Sequence, residues 1–140
     1  APLKPTYTAP PERRVGGETV ALVLIVDDSP TDVHVMQKAL EQHGFTTAAA
    51  ADGGEGLRLA RQLRPDLILM DIVMPGLNGY QATRELANDP ATRKIPVIMI
   101  TSKGQESDRV WGLRQGAVDY LVKPVSTDRL VQKAQAAITG

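Results

Sequence analysis

Cysteine is absent, so the chain has neither a disulfide nor a thiolate metal site to draw on. No apolar run approaches the roughly 18 residues of a membrane-spanning helix. The opening Ala1-Pro2-Leu3-Lys4-Pro5 lacks the apolar core of a secretory signal. Neither sign of charge is in excess: 16 basic residues balance 16 acidic ones with no long single-sign run, which argues against a nucleic-acid surface. Also missing is a glycine-rich phosphate loop after the first apolar run. Asp27-Asp28-Ser29-Pro30 stands there instead, and carboxylates would repel a pyrophosphate unless a metal intervened. These absences set the expectation of a cytoplasmic protein that touches neither nucleic acid nor membrane directly.

What is present suffices for one domain: 140 residues, 42% of them hydrophobic, are enough to bury a sizeable core. Residues 1–19 hold Pro2, Pro5, Pro10, Pro11, Gly16 and Gly17 without periodicity. Such a stretch buries too little to offset its ordering entropy. It is read as a flexible arm, either a native extension or a linker from a longer protein, and 20–140 as the folded domain. The folded part opens with Val20-Ala21-Leu22-Val23-Leu24-Ile25-Val26, a continuous apolar run suited to a central parallel strand. Ser29 is a good N-cap and Pro30 fits the first helical position. The helix that follows carries Val33, Met36 and Leu40 on one face, with Gly44 as its stop.

A short Ala-rich strand from Phe45 to Ala50 is a plausible sheet edge. Asp52-Gly53-Gly54 then opens a second helix, with Leu57, Ala60 and Leu63 inward and Pro65 beyond it. The third strand, Asp66 to Asp71, ends on a lone carboxylate followed at once by Met74-Pro75-Gly76. Asn78 caps a third helix to about Ala87, Pro96 precedes a buried strand Val97-Ile98-Met99-Ile100, and a fourth helix spans about 105–115 with Val110 and Leu113 inward. Strand five, Val118 to Val122, and a last helix, about Thr127 to Ile138 with Leu130, Ala134 and Ala137 buried, complete the pattern. Alternation of strand and helix with short right-handed crossovers predicts a doubly wound α/β fold: a five-stranded parallel sheet of order 2-1-3-4-5 in a flavodoxin-like three-layer sandwich.

Three strands end in polar residues that packing does not require: Asp27-Asp28, Asp71 and Lys123; a fourth ends in Thr101. In the order 2-1-3-4-5, strands one and three flank the topological switch point, where ligands bind. Three carboxylates gathered there repel one another and need a compensating cation, and oxygen-only ligands suit Mg²⁺ or Mn²⁺. A carboxylate beside such a metal can act as a nucleophile toward phosphorus. Lys123 would neutralise charge on the transferred oxygens, and Thr101 would hydrogen-bond the phosphoryl group. Taken singly, each feature has a plainer reading: Asp27-Asp28 as a helix cap, Lys123-Pro124 as a turn, Tyr120 as an ordinary strand residue, Trp111 as helix packing or a partner anchor. His34 and His43 have no partner carboxylate at metal spacing and read as solvated surface.

Asp27-Asp28, Met70-Asp71-Ile72-Val73-Met74-Pro75-Gly76, Ile100-Thr101 and Tyr120-Leu121-Val122-Lys123-Pro124 together resemble the receiver domains of two-component response regulators, the CheY-like superfamily. The likeness covers about Leu22 to Thr139, with every motif in order at a strand end. It implies that Asp71 accepts a phosphoryl group from a sensor histidine kinase. It implies that Asp28, Asp71 and the backbone carbonyl of Val73 ligate Mg²⁺, with Asp27 acting through water, and that Lys123 contacts the phosphoryl oxygens beside a cis Lys123–Pro124 bond. Thr101 and Tyr120 resemble the paired switch residues, which remodel the face of helix four, strand five and helix five for a downstream protein target. Val73 and Lys103 match the positions that border the path of the hydrolytic water; an apolar Val73 cannot orient water, so slow self-dephosphorylation is expected. Within the family, Met70 to Gly79, Trp111-Gly112 and Arg114-Gln115-Gly116-Ala117 are most similar to small stand-alone receivers of type IV pilus twitching motility.

The expected function is therefore a phospho-acceptor that switches partner binding, not an enzyme beyond slow self-phosphorylation from small donors and autodephosphorylation, and a monomer or weak homodimer. With the last helix reaching almost to Gly140, a stand-alone regulator without an output domain is expected. A receiver excised from a larger regulator or hybrid kinase is the alternative. A metal-dependent phosphatase is less suited, because those enzymes usually space their first acidic pair one residue apart and carry a cap that these short connections cannot hold.

Overall fold

In the computed structural model, backbone is described for residues 14–15, 18–102 and 106–139, and side chains for 20–102 and 109–139. Five strands form one sheet: β1 (Leu22–Val26), β2 (Thr46–Ala50), β3 (Leu67–Asp71), β4 (Val97–Thr101) and β5 (Asp119–Val122). All neighbours are parallel and the order is β2-β1-β3-β4-β5. The intervening helices are α1 (Pro30–Glu41), α2 (Gly53–Leu63), α3 (Gly79–Asn88), α4 (Glu106–Gln115) and α5 (Thr127–Thr139). Outside the sheet, Arg14–Val15 pairs antiparallel with Glu18–Thr19, a ladder that the aperiodic sequence does not signal. The rest of residues 1–19 lies outside the described residues, as does Lys103.

The continuous apolar runs are explained by burial on both faces. Successive side chains of a strand point to opposite sides, and the core divides accordingly. Leu22, Leu24, Val26, Ile68, Met70 and Met99 pack against Leu57 and Ala60 of α2 and Ala82 and Leu86 of α3. Val23, Ile25, Leu67, Leu69, Ile98 and Ile100 pack against Val33, Met36 and Leu40 of α1 and Leu130 and Ala134 of α5. Ala137 is only half-buried, and Val131 takes the buried place beside Leu130.

The local signals at the helix starts operate as the sequence suggests. The Ser29 side chain accepts from the Asp32 N–H, with Pro30 opening α1. The Asp52 carboxylate accepts from the Glu55 N–H, and Asn78 and Gln81 form a reciprocal capping box on α3. Gly79 is required for space: a Cβ there would lie 2.8 Å from the Ile72 Cα and closer still to the Asp71 carbonyl, so the start of α3 could not close over the end of β3.

Helix α4 corrects one expectation. Val110 and Leu113 point outward, 40% and 37% exposed, and Trp111 is 50% exposed. Their spacing of three does put Val110 and Leu113 on one face, but the opposite face meets the sheet. Gly112 is buried there, and its missing side chain makes room for Met99, whose sulfur would sit 2.9 Å from a Cβ. Close approach through a glycine outweighs the burial of two aliphatic side chains.

Candidate functional site

The site lies at the carboxyl ends of β1, β3, β4 and β5. β1 delivers Asp27 with its N–H still donating to Ala50 of β2 (3.0 Å), so the residue is fixed by the sheet before its side chain turns into the crevice. The Ser29 N–H then donates to the Asp27 carboxylate at 2.9 Å, and Ser29 caps α1, so the first turn of that helix and Asp27 are held as one unit. β3 delivers Asp71, after which the Ile72 N–H donates to Ile100 (3.2 Å) and the Gly79 N–H to Ile72 (2.9 Å). Adjacent pairing of β1 with β3 follows from the strand order. As a result Asp27, Asp28 and Asp71 each bring a carboxylate oxygen within 4.8 Å of the others.

Lys123 enters from the end of β5. Its N–H donates to the Thr101 carbonyl of β4, and its bond to Pro124 is cis. The ammonium lies 3.0 Å from Asp27, 2.8 Å from Asp32 and 3.4 Å from Asp71. Thr101 is buried at the end of β4, one residue beyond the partner of Asp71 in the sheet. Tyr120 is half-buried in β5, paired with Met99 and packed against the core. Val73 is 61% exposed in the turn after β3.

The electrostatics follow from crowding. Burial, then the charge of Asp27, pushes the Asp71 carboxyl up to about 7, with Lys123 opposing. Burial also raises Asp27, against the pull of the Ser29 N–H and of Lys123. Burial would weaken the Lys123 ammonium, but its hydrogen bonds to Asp32 and Asp27 outweigh that and hold it firmly protonated. Among the described residues, the Lys123 ammonium is the cation set against Asp27, Asp32 and Asp71, with Asp28 beside them. The surplus of hard oxygen donors at small separation fits a divalent ion such as Mg²⁺, with Asp27, Asp28 and Asp71 as candidate ligands. The same surplus leaves Asp71 an electron-rich oxygen at the mouth of a crevice, flanked by an ammonium.

The structure brings together Asp27, Asp28, Asp71, Thr101 and Lys123. It adds Asp32, which carries no signal in the sequence: an acidic residue in the first turn of a helix reads as a complement to the helix dipole, and only the fold shows it reaching Lys123. A different pair lies apart from the cleft: the Tyr80 and Trp111 rings meet edge to face, centroids 6.4 Å apart, tying α3 to α4. Among the described residues, no helix is long and apolar enough to cross a membrane.

Comparison with known proteins gives a consistent picture. The pattern of the response regulator receiver domain matches residues 23–135. Protein PilH of Pseudomonas aeruginosa is 54% identical over 121 residues, covering 86% of this chain and 100% of that protein. The DNA-binding response regulator MtrA of Mycolicibacterium smegmatis is 39% identical over 116 residues, but these make up 50% of its length. Among solved structures, a putative response regulator from Chloroflexus aurantiacus superposes with a TM-score of 0.84 at 30% identity, covering 87% of this chain and all of that one. The receiver domain of a sensor histidine kinase from Pseudomonas aeruginosa, solved with a magnesium ion coordinated in its active-site cleft, superposes with a TM-score of 0.80 at 34% identity, again covering 87% and 100%.

Proposed function

The chain belongs to the response regulator receiver domains, the phospho-acceptor modules of two-component signalling, and on that premise we propose that Asp71 is its phospho-acceptor. One observation carries this reading: Asp71 closes β3 with Asp27 and Asp28 within 4.8 Å and the Lys123 ammonium at 3.4 Å, while the equally crowded Asp27 already accepts from the Ser29 N–H and from Lys123. An Asp71 carboxylate oxygen attacks the phosphorus of a kinase phosphohistidine. A P–O bond forms, the P–N bond breaks, and the leaving imidazole takes a proton. Lys123 neutralises charge on the phosphoryl oxygens. Asp28, Asp71 and the Val73 carbonyl would hold Mg²⁺, with Asp27 acting through water, and Mn²⁺ suits the same oxygen donors. Bound there, the ion would offset negative charge on the transferred group.

Thr101 and Tyr120 are the residues through which phosphorylation is read out. The Thr101 hydroxyl engages the phosphoryl group and the Tyr120 ring turns inward, changing the face of α4, β5 and α5. Val73 and Lys103 border the path of the hydrolytic water, and the apolar, exposed Val73 cannot orient it, so the phosphorylated form is long-lived. The domain works in the cytoplasm as a monomer or weak homodimer, by regulated binding and without turnover of a substrate. Its identity to PilH, together with the motifs shared with stand-alone pilus receivers, supports a role in type IV pilus motility control, between a sensor histidine kinase and a downstream protein target. The same residues would serve a receiver within a longer regulator or hybrid kinase. Phosphotransfer from candidate kinases to this protein, with Asp71→Asn as control, tests the reading; enzyme-like turnover of p-nitrophenyl phosphate would favour a phosphatase instead.

A further inference from the structure

The Lys123 ammonium has three N–H groups and three carboxylates within reach, and it does not treat them alike. It hydrogen-bonds Asp32 at 2.8 Å and Asp27 at 3.0 Å, while Asp71 stands farther away at 3.4 Å. The two bonded partners differ in how easily they can let go. The Asp27 side chain is 1% exposed and already fixed by the Ser29 N–H, so releasing Lys123 would leave a buried charge uncompensated. The Asp32 side chain is 43% exposed, on the first turn of α1, where water can replace the ammonium. A groove of about 150 Å³ lined by Asp32, Val35, Met36, Lys123, Pro124 and Val125 borders the pair, so the lysine can move without unpacking the core.

We propose that Asp32 is a positioning residue that draws Lys123 toward α1 in the unphosphorylated domain and competes with a phosphoryl group on Asp71 for the ammonium. When that group arrives, Asp32 is the partner Lys123 gives up. The strength of the Asp32–Lys123 pair therefore sets how readily the phosphorylated site forms. It also ties the first turn of α1 to the turn after β5, on the opposite side of the sheet from α3. The inference rests on Asp71 being the acceptor.

The test is the affinity of the full chain for beryllofluoride, an acyl phosphate mimic, in the presence of Mg²⁺, followed by calorimetry. Asp32→Ala is expected to bind about threefold to tenfold more tightly than wild type, because an exposed competing ion pair has been removed. Asp32→Glu, which restores the carboxylate, is expected within about twofold of wild type. In a Lys123→Met background, Asp32→Ala is expected to change nothing. Equal affinities for wild type and Asp32→Ala would overturn the proposal. So would a tightening that persists in the Lys123→Met background, since Asp32 would then act as a general negative charge and not through the lysine. Failure of the wild type to bind beryllofluoride would overturn the acceptor reading itself.

Discussion

The acidic cleft and helix α4 lie on the same sheet and are built on opposite terms. In the cleft the backbone anchors the roots of the charged side chains: Asp27 and Asp71 stand at strand ends, and Lys123 is tied by its backbone bond to Thr101. Along α4 the apolar residues Val110, Trp111 and Leu113 face outward, and the helix meets the core through a glycine. The cleft is anchored through backbone hydrogen bonds, while the described side chains of α4 leave three apolar residues exposed. That division suits a module that must keep one carboxylate poised and still let a surface change.

Equivalent truncations in the two regions should expose the contrast most strongly. Leu69→Ala removes a fully buried side chain between β1 and β4 and should destabilise the fold by about 3–5 kcal/mol. Leu113→Ala, on the exposed face of α4, should cost about 0.5 kcal/mol or less. Urea denaturation of both variants checks this, and similar losses would abolish the distinction.

A second contrast concerns charge. In the metal-free protein the Asp71 carboxyl titrates at about 7 when folded and near 3.8 when unfolded. The folded state therefore holds the proton more tightly, and this group's contribution lowers stability as pH rises from 4 through 7. Asp71→Asn should raise the stability of the metal-free protein at pH 8 by about 1–3 kcal/mol. The gain should fade as pH drops toward 4. Thermal melts in chelator across that range give the answer; a loss of stability at pH 8 would mean that Asp71 is better compensated than its neighbours suggest.

Smaller effects belong to the surface. Val73→Asn should shorten the lifetime of the acetyl-phosphate-labelled protein about tenfold or less, and an unchanged lifetime would remove Val73 from its assigned role. Smallest of all is the Arg61–Asp89 pair at 2.7 Å, which holds the Asp89 carboxyl below its ordinary value. Its contribution is present above pH 4 and lost as pH falls through the folded value. Arg61→Ala should therefore shift the melting temperature slightly at pH 7 and less at pH 3.

Much of this molecule is legible in its amino-acid sequence. Strands buried on both faces leave continuous apolar runs, and Ser29-Pro30, Asp52 and Asn78 mark helix starts by local chemistry, so order and layers follow. The strand-end polar residues are legible too, because packing gives no reason for them. Two things are not. Asp32 looks like any first-turn acid, and its bond to Lys123 spans 91 positions of the chain. The orientation of α4 depends on Gly112 meeting Met99, a contact between helix and sheet that spacing along the helix cannot encode.

If Asp71, and not Asp27, Asp28 or Asp32, takes the phosphoryl group, the label must follow that one side chain. Incubating the wild type and Asp71→Asn with acetyl phosphate and Mg²⁺, then locating by peptide mass spectrometry the homoserine that borohydride reduction leaves at a phosphorylated aspartate, addresses this directly. A modified peptide containing Asp71 in the wild type and no labelling of the variant are expected. Persistent labelling of Asp71→Asn, or modification at Asp27 or Asp28 in the wild type, would contradict it.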